Sequence, residues 1–262
     1  MPFINEAASV ARDCDLIVLA IGDNYNQAGE YNDRAKLRPS GMQEALFRVL
    51  STLHIPIVTV VVASKPLVLT NIVEKSDAVI CAFNGGMFGG QAVAEVIFGK
   101  NNPQGRLPIS FPITTGQVPV YYNQFPGWHE GRYVDCEEQP LFAFGEGMSF
   151  TWYEYSDLKF NKRTKTVRVT VTNKGKRKGI ETVQVYVNDV VSSVMTAVKN
   201  LAGFERVELD PGESKTVSIK LEDDAFSVVL PDETRVIEPG QFEIFAGHSS
   251  KEEDLLKVTV TL

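Results

Sequence analysis

From Ala11 to about Gly99, apolar positions fall into short unbroken runs, and between the runs they recur with a helical period. Asp15–Gly22, Ile55–Val62 and Asp77–Phe83 are the runs, and apolar content on both faces predicts strands buried in a parallel-type sheet. Ser40–Leu50 places Leu46, Phe47 and Leu50 on one helical stripe, and Gln91–Phe98 does the same before Gly99 stops it. Strand alternating with helix predicts a layered α/β domain. After Phe150 the period changes. Thr166–Asn173, Glu181–Asn188, Lys215–Leu221, Gln241–Ala246 and Leu256–Leu262 are β-patterned, with turn signals at Asn173–Gly175, Asp210–Gly212 and Glu238–Gly240 between them. They predict an antiparallel sandwich of immunoglobulin-like size, about 100 residues. The segment from Gly99 to Phe150, rich in Pro, Gly and aromatics, is expected to wrap the first domain.

Composition narrows the partners. The chain has 262 residues, 44% of them hydrophobic, which is ample for real cores and argues against disorder. Its 26 Lys and Arg against 33 Asp and Glu give 26 − 33 = −7, the wrong sign for holding a phosphate backbone, so no nucleic acid is expected. The longest apolar runs, Leu16–Ile21 and Ile55–Ala63, fall well short of the roughly 20 residues that cross a bilayer, so no membrane span is expected either. The opening Met1-Pro-Phe-Ile-Asn-Glu6 does not read as a secretory leader. Cys14, Cys81 and Cys136 are odd in number, widely spaced and without a CxxC pair, so reduced, partly buried thiols are expected rather than a disulfide framework or a zinc site. Free thiols and no leader favour the cytoplasm, a reading that a signal on any preceding segment would reverse.

The chemistry-bearing residues cluster after the first strand. Gly22–Arg34 follows its carboxyl end, where open α/β sheets bind ligands. Glu30, Asp33 and Arg34 offer a carboxylate whose pKa a site can tune, a second acid and a cation able to clamp bidentately. The same residues also fit a solvated loop whose acids cap the next helix. A second candidate is Phe83–Gly90, a strand-to-helix glycine loop. It lacks the first glycine of G-x-G-x-x-G and the Lys-Ser/Thr ending of a Walker loop, so it reads as a close backbone approach at a helix N-terminus. His54, His129 and His248 share no ligand-like spacing, and neither metal nor cofactor is expected; no G-x-S-x-G elbow supplies a serine nucleophile.

Several segments, in order, resemble the glycoside hydrolase family 3 enzymes, β-glucosidases and β-xylosidases among them. They are Gly29-Glu-Tyr-Asn-Asp-Arg34 with Leu37, Pro39 and Gln43; Ser64–Leu67; Ala82–Gly99 running into Asn102–Pro108; Tyr121-Tyr122; Gly131–Asp135; and Pro140–Thr151. Val198–Arg206 with Asp210–Glu213 resembles the fibronectin type III-like domain that closes those enzymes. Each motif is weak, and their collinearity over nearly the whole chain is specific. The resemblance implies an α/β/α sandwich with a mostly parallel sheet over residues 1–149, then a fibronectin type III-like, immunoglobulin-like sandwich over 150–262. It also implies that the first strand and helix of the usual α/β domain, and a barrel carrying the nucleophilic Asp, would precede residue 1.

By the same resemblance the activity is retaining hydrolysis of terminal, non-reducing β-linked sugars from an oligosaccharide or an aryl or alkyl β-glycoside, β-glucosidase above all. Glu30 is then the acid/base. A carboxyl must be protonated to assist departure and ionised to activate water, and burial beside a sugar raises a carboxyl pKa toward neutrality. Asp33 and Arg34 match the family's D-R pair, with roles in loop positioning and substrate contact, and Phe83 stands in the substrate region where the family commonly has Trp. Gly85 replaces a Pro, and Glu146 replaces the Tyr of F-G-Y-G, which puts that Tyr's contacts in doubt. The chain alone is expected to be inactive. A non-catalytic carbohydrate-binding or scaffolding protein of the same descent is the alternative, and a nucleotide-binding protein a weaker third. Trp152, Tyr153 and Tyr155 fit either sugar stacking or packing, Trp128 either a substrate or a barrel interface, and homo-oligomer formation stays open.

Overall fold

Three parallel strands form the first sheet in the order β1 (Ile17–Gly22), β2 (Ile57–Val62), β3 (Ala78–Cys81), with Ile17 beside Ile57 and Val58 beside Ala78. They belong to a computed structural model that describes residues 2–128 and 131–262. The strands match the three apolar runs. As edges of a small sheet, β1 and β3 are less covered than those runs predict: β1 buries Ile17, Leu19 and Ile21, while Val18 between them is 51% exposed. Among the described residues four α-helices accompany them: α1 (Pro2–Ala11), α2 (Gln43–Leu50), α3 (Thr70–Val73) and α4 (Gly89–Ile97). Helix α1 corrects an expectation, since no helix was expected before the first strand. Ile4, Ala8 and Ala11 lie one or two turns apart and bury together, and Pro2 occupies the first helical position, where a missing N–H costs nothing.

Gly22 closes β1 in a conformation that side chains resist, at φ +145°, and a Cβ there would lie 1.8 Å from the Val62 carbonyl oxygen. Its peptide is gripped by one amide: Gln43 Oε1 accepts from Gly22 N–H at 2.7 Å, and Gln43 Nε2 donates to Gly22 O at 2.9 Å. Gly22→Ala should therefore cost about 1–3 kcal/mol through overpacking and backbone strain, read as a lower thermal unfolding midpoint. An unchanged midpoint would show that the β1–β2 approach yields easily.

The chain divides into two compact units, one running to Asn101 and taking in Phe111–Pro119, the other comprising Asn102–Ser110 and Val120–Leu262. The segment expected to wrap the first domain is thus shared, most of it belonging to the second unit. That unit is a sandwich of two antiparallel sheets. One is ordered β12 (Leu255–Thr261), β11 (Gln241–Gly247), β6 (Gly179–Asp189), β7 (Asn200–Leu209); the other is β4 (Tyr153–Asn161), β5 (Thr166–Asn173), β8 (Ser214–Lys220). A two-stranded ribbon, β9 (Val228–Val229) with β10 (Arg235–Val236), completes the strands. Val167, Val169, Val171, Val183, Val185 and Ile244, from alternate positions of three strands, are fully buried between the sheets.

Polar groups as well as apolar ones hold the connecting segment. Arg106 donates from Nη2 to Glu181 at 2.5 Å and from Nη1 to Gly147 O, and Tyr155 donates to the other Glu181 oxygen at 2.8 Å. Burial pushes the Glu181 carboxyl up, against the pull of the Arg106 charge and the Tyr155 hydroxyl; burial, then the Glu181 charge, keeps the Tyr155 phenol protonated. Gln184 donates to Gly145 O at 3.1 Å, and Tyr122 stacks on Phe144 with centroids 4.2 Å apart. Glu146 accepts from Ala143 N–H at 2.8 Å and pairs with Lys251 at 3.0 Å, so its charge closes its own turn. Tyr153 and Tyr155 pack on the sandwich core, while Trp152 is 60% exposed. All three cysteines are free; Cys81 and Cys136 are half-buried, and Cys14 departs from the expected burial because it lies exposed just past α1.

Candidate functional site

Just past Gly22, at the carboxyl end of β1, stands Asp23, whose side chain is 2% exposed. A carboxylate removed from water needs compensation, and here it has two cations. Arg34 Nη1 meets Oδ1 at 2.5 Å and Lys65 Nζ meets Oδ2 at 2.9 Å. Lys65 comes from the segment after β2, so the hub ties together the ends of two neighbouring strands. Each cation makes one further bond: Lys65 donates to Gln27 O at 2.8 Å, and Arg34 Nη2 donates to Arg38 O at 2.6 Å.

Glu30 lies between those two tethers. A single 3-10 turn, Tyr25–Gln27, opens the loop, capped by Asn24, whose side chain accepts from Asn26 N–H at 3.0 Å and whose N–H donates to Gln27 Oε1 at 3.1 Å. Gly29 at φ +102° and Tyr31 at φ +63° bend the chain on either side of Glu30. Asn32 N–H closes this tip by donating to Gly29 O at 3.2 Å. The side chain of Glu30 is exposed and meets no hydrogen-bond or ion-pair partner among the described residues. Asp33 is exposed as well, and Tyr25 and Tyr31, 86% and 93% exposed, flank the tip with unburied aromatic rings.

Of the residues singled out from sequence, the fold sets Glu30, Asp33 and Arg34 on one loop and joins Arg34 to the Asp23 hub. Phe83 is placed differently. It follows β3 at φ +45°, half-buried, and its ring meets Phe111 edge-on at 6.4 Å. The glycine loop after it leads into α4, and a Cβ on Gly85 would lie 2.8 Å from the Gly89 Cα, so the close backbone approach is within the loop itself. His129 lies outside the described residues. Among the described residues no three His, Cys, Asp or Glu could hold a metal ion together, and no helix is long and apolar enough to cross a membrane.

Sequence reasoning missed Asp23 and Lys65 as a pair. A signal existed: Lys65 is a single cation in the otherwise largely apolar stretch Ile57–Leu69, a setting that calls for a buried carboxylate nearby. Gln43 was visible only as a matching letter, and its grip on Gly22 needs the fold.

The model of the glycosyl hydrolase family 3 C-terminal domain matches residues 2–150, and that of the fibronectin type III-like domain matches residues 181–250. The chain belongs to glycosyl hydrolase family 3. A β-xylosidase of Formosa agariphila is 41% identical over 98% of the chain, and the periplasmic β-glucosidase of Salmonella typhimurium is 36% identical over 94%. Among solved structures, a β-glucosidase of intestinal bacteria involved in saponin metabolism superposes over 100% of the chain with TM-score 0.94 at 40% identity. The Listeria innocua β-glucosidase in complex with glucose does so over 98% with TM-score 0.91 at 33% identity. The chain spans only 37% and 34% of the two curated relatives and 38% of each of the two structures. Within family 3, it therefore corresponds to the α/β domain and the fibronectin type III-like domain that follows it.

Proposed function

We propose that this chain supplies the acid/base half of a retaining β-glycosidase, acting on terminal, non-reducing β-linked sugars, with β-glucosides as the principal substrates. The observation that carries the proposal is Glu30: a carboxylate without a partner among the described residues, at the tip of a loop anchored to the carboxyl ends of two parallel strands, in a chain whose relatives are β-glucosidases and β-xylosidases.

In this reading a barrel domain presents an Asp on one face of the sugar, and Glu30 reaches the glycosidic oxygen on the other. Attack by the Asp at the anomeric carbon expels the leaving group as Glu30 hands its proton to the departing oxygen. Glu30, now ionised, takes a proton from water, and that water displaces the Asp with net retention. In this reading exposed Asp33 is the loop's substrate contact, Arg34, held by Asp23 and the Arg38 carbonyl, positions the loop, and Phe83 shapes the start of the glycine loop against Phe111. An exposed carboxylate without the nucleophile gives little rate.

The purified chain should therefore leave aryl β-glycosides unhydrolysed, and joined to a family 3 barrel domain it should turn over an aryl β-glucoside. Robust turnover by the chain alone, abolished by Glu30→Ala, would mean that it contains its own nucleophile and would defeat the proposal. Sugar binding that ignores Glu30, with no activity on joining, would favour the carbohydrate-binding alternative.

A further inference from the structure

We infer that Asp23 is the positioning residue of the acid/base step, acting on Glu30 through Arg34 and Lys65; the inference rests on the reading of Glu30 given above. The two tethers bracket Glu30 in the chain. Gln27, three residues before it, is held through its carbonyl by Lys65; Arg34, four residues after it, is held by Asp23 directly and passes the hold to the Arg38 carbonyl. Arg34 is hydrogen-bonded to one oxygen of the carboxylate and Lys65 is ion-paired with the other, so a single buried charge holds the cation at each end of the loop.

Between the tethers the remaining bonds are local to the tip, such as Asn32 to Gly29, and fix the shape of the turn but not its place on the sheet. Asp23 sets the place of Gln27 and Arg34, and it follows directly on a Gly22 that is itself locked to Gln43 and packed against Val62; beyond Arg34 the chain is pinned once more where Leu37 O accepts from Val68 N–H at 2.9 Å. The chain of support runs from the β1–β2 register, through Gly22 and Asp23, to two cations and then to Glu30. Removing the charge at Asp23 leaves Arg34 and Lys65 facing each other with no anion between them. Like charges at that range repel, and each tether then follows its side chain toward solvent. The turn carrying Glu30 survives, but its aim at the glycosidic oxygen is lost.

Misaim has a signature that loss of folding lacks. An alkoxide leaves only as it is protonated, whereas a dinitrophenolate leaves without a proton. In the full chain joined to a family 3 barrel domain, Asp23→Asn should lower kcat/KM for methyl β-glucoside about 10- to 100-fold, and leave it within about two-fold for 2,4-dinitrophenyl β-glucoside. Lys65→Met keeps the Asp23–Arg34 pair and folds with less disturbance; it should shift the same ratio in the same direction by a smaller factor. Glu30→Ala, measured alongside, tests the reading underneath, since it must itself depress the methyl-to-dinitrophenyl ratio. If Glu30→Ala depresses the ratio while Asp23→Asn and Lys65→Met leave it unchanged, or lower both substrates equally, the positioning role is overturned and the acid/base reading survives. If Glu30→Ala leaves the ratio unchanged, both fall.

Discussion

Glu30→Ala, in the chain joined to a family 3 barrel domain, is expected to lower kcat/KM for alkyl β-glucosides by about 10²–10⁴-fold, the share that a positioned general acid contributes. The physical reason is that an alkoxide is a poor leaving group in water and a worse one in an enclosed site, so its departure depends on a proton delivered in the transition state. Glu30 is exposed and meets no partner among the described residues, so truncating it breaks no contact seen there, and the folded fraction should be unchanged. Glu30→Gln should be as deficient as Glu30→Ala: it keeps the shape and a hydrogen-bond donor but cannot give up a proton to an alkoxide. Recovery of activity in the Gln variant would show that Glu30 supplies shape or a hydrogen bond, and the acid/base assignment would fail.

The largest stability effect is expected at Arg106. Its pair with the fully buried Glu181 is short, both oxygens of the carboxylate are occupied, and the arginine also serves Gly147 O. Arg106→Ala leaves a carboxylate buried with one phenol and, among the described residues, no ion-pair partner, which should cost about 3–5 kcal/mol. For a unit of this size that is a fall of roughly 6–20 °C in the unfolding midpoint of the sandwich. Replacing both partners by apolar residues of similar volume should recover most of the loss, because a pair taken out of water together is worth far less than one stranded member costs. A single variant with an unchanged midpoint, measured calorimetrically, would mean that water reaches Glu181 and that the connecting segment is held by its apolar contacts alone.

The strands of the first unit were legible because each is a continuous apolar run, and α2 and α4 because their stripes are regular. Helix α1 is harder to read, because its period rests on Ile4, Ala8 and Ala11 alone in a short segment before the first strand. Strands β4 and β7 were hidden by bulges. Pairing shifts between Ser156 and Lys159, with Asp157 at φ +54°, and again at Val185/Tyr186 opposite β7, so the alternation changes phase inside each run. The candidate loop was found from its place after β1 and from its match to family 3. What supports it was not legible. Lys65 lies 38 residues from Gln27, and Arg106 lies 75 from Glu181, and nothing local in the sequence announces either partner. Buried charges find one another through the fold. A sequence shows that a lone buried-looking Lys or Glu needs a partner, and the topology chooses which.

The most direct measurement of the central claim is the product formed by Glu30→Ala, joined to a family 3 barrel domain, from 2,4-dinitrophenyl β-glucoside in the presence of azide. Departure of the phenolate needs no acid, so the sugar becomes bonded to the barrel carboxylate, and water then attacks slowly for want of a base. Azide is an anion that needs no base, and its attack at the anomeric carbon displaces the carboxylate and gives β-glucosyl azide. That product is expected, with turnover rising as azide is added. Glucose as the only product, at a rate indifferent to azide, would show that water still has its base when Glu30 is gone, and the acid/base would have to be sought elsewhere.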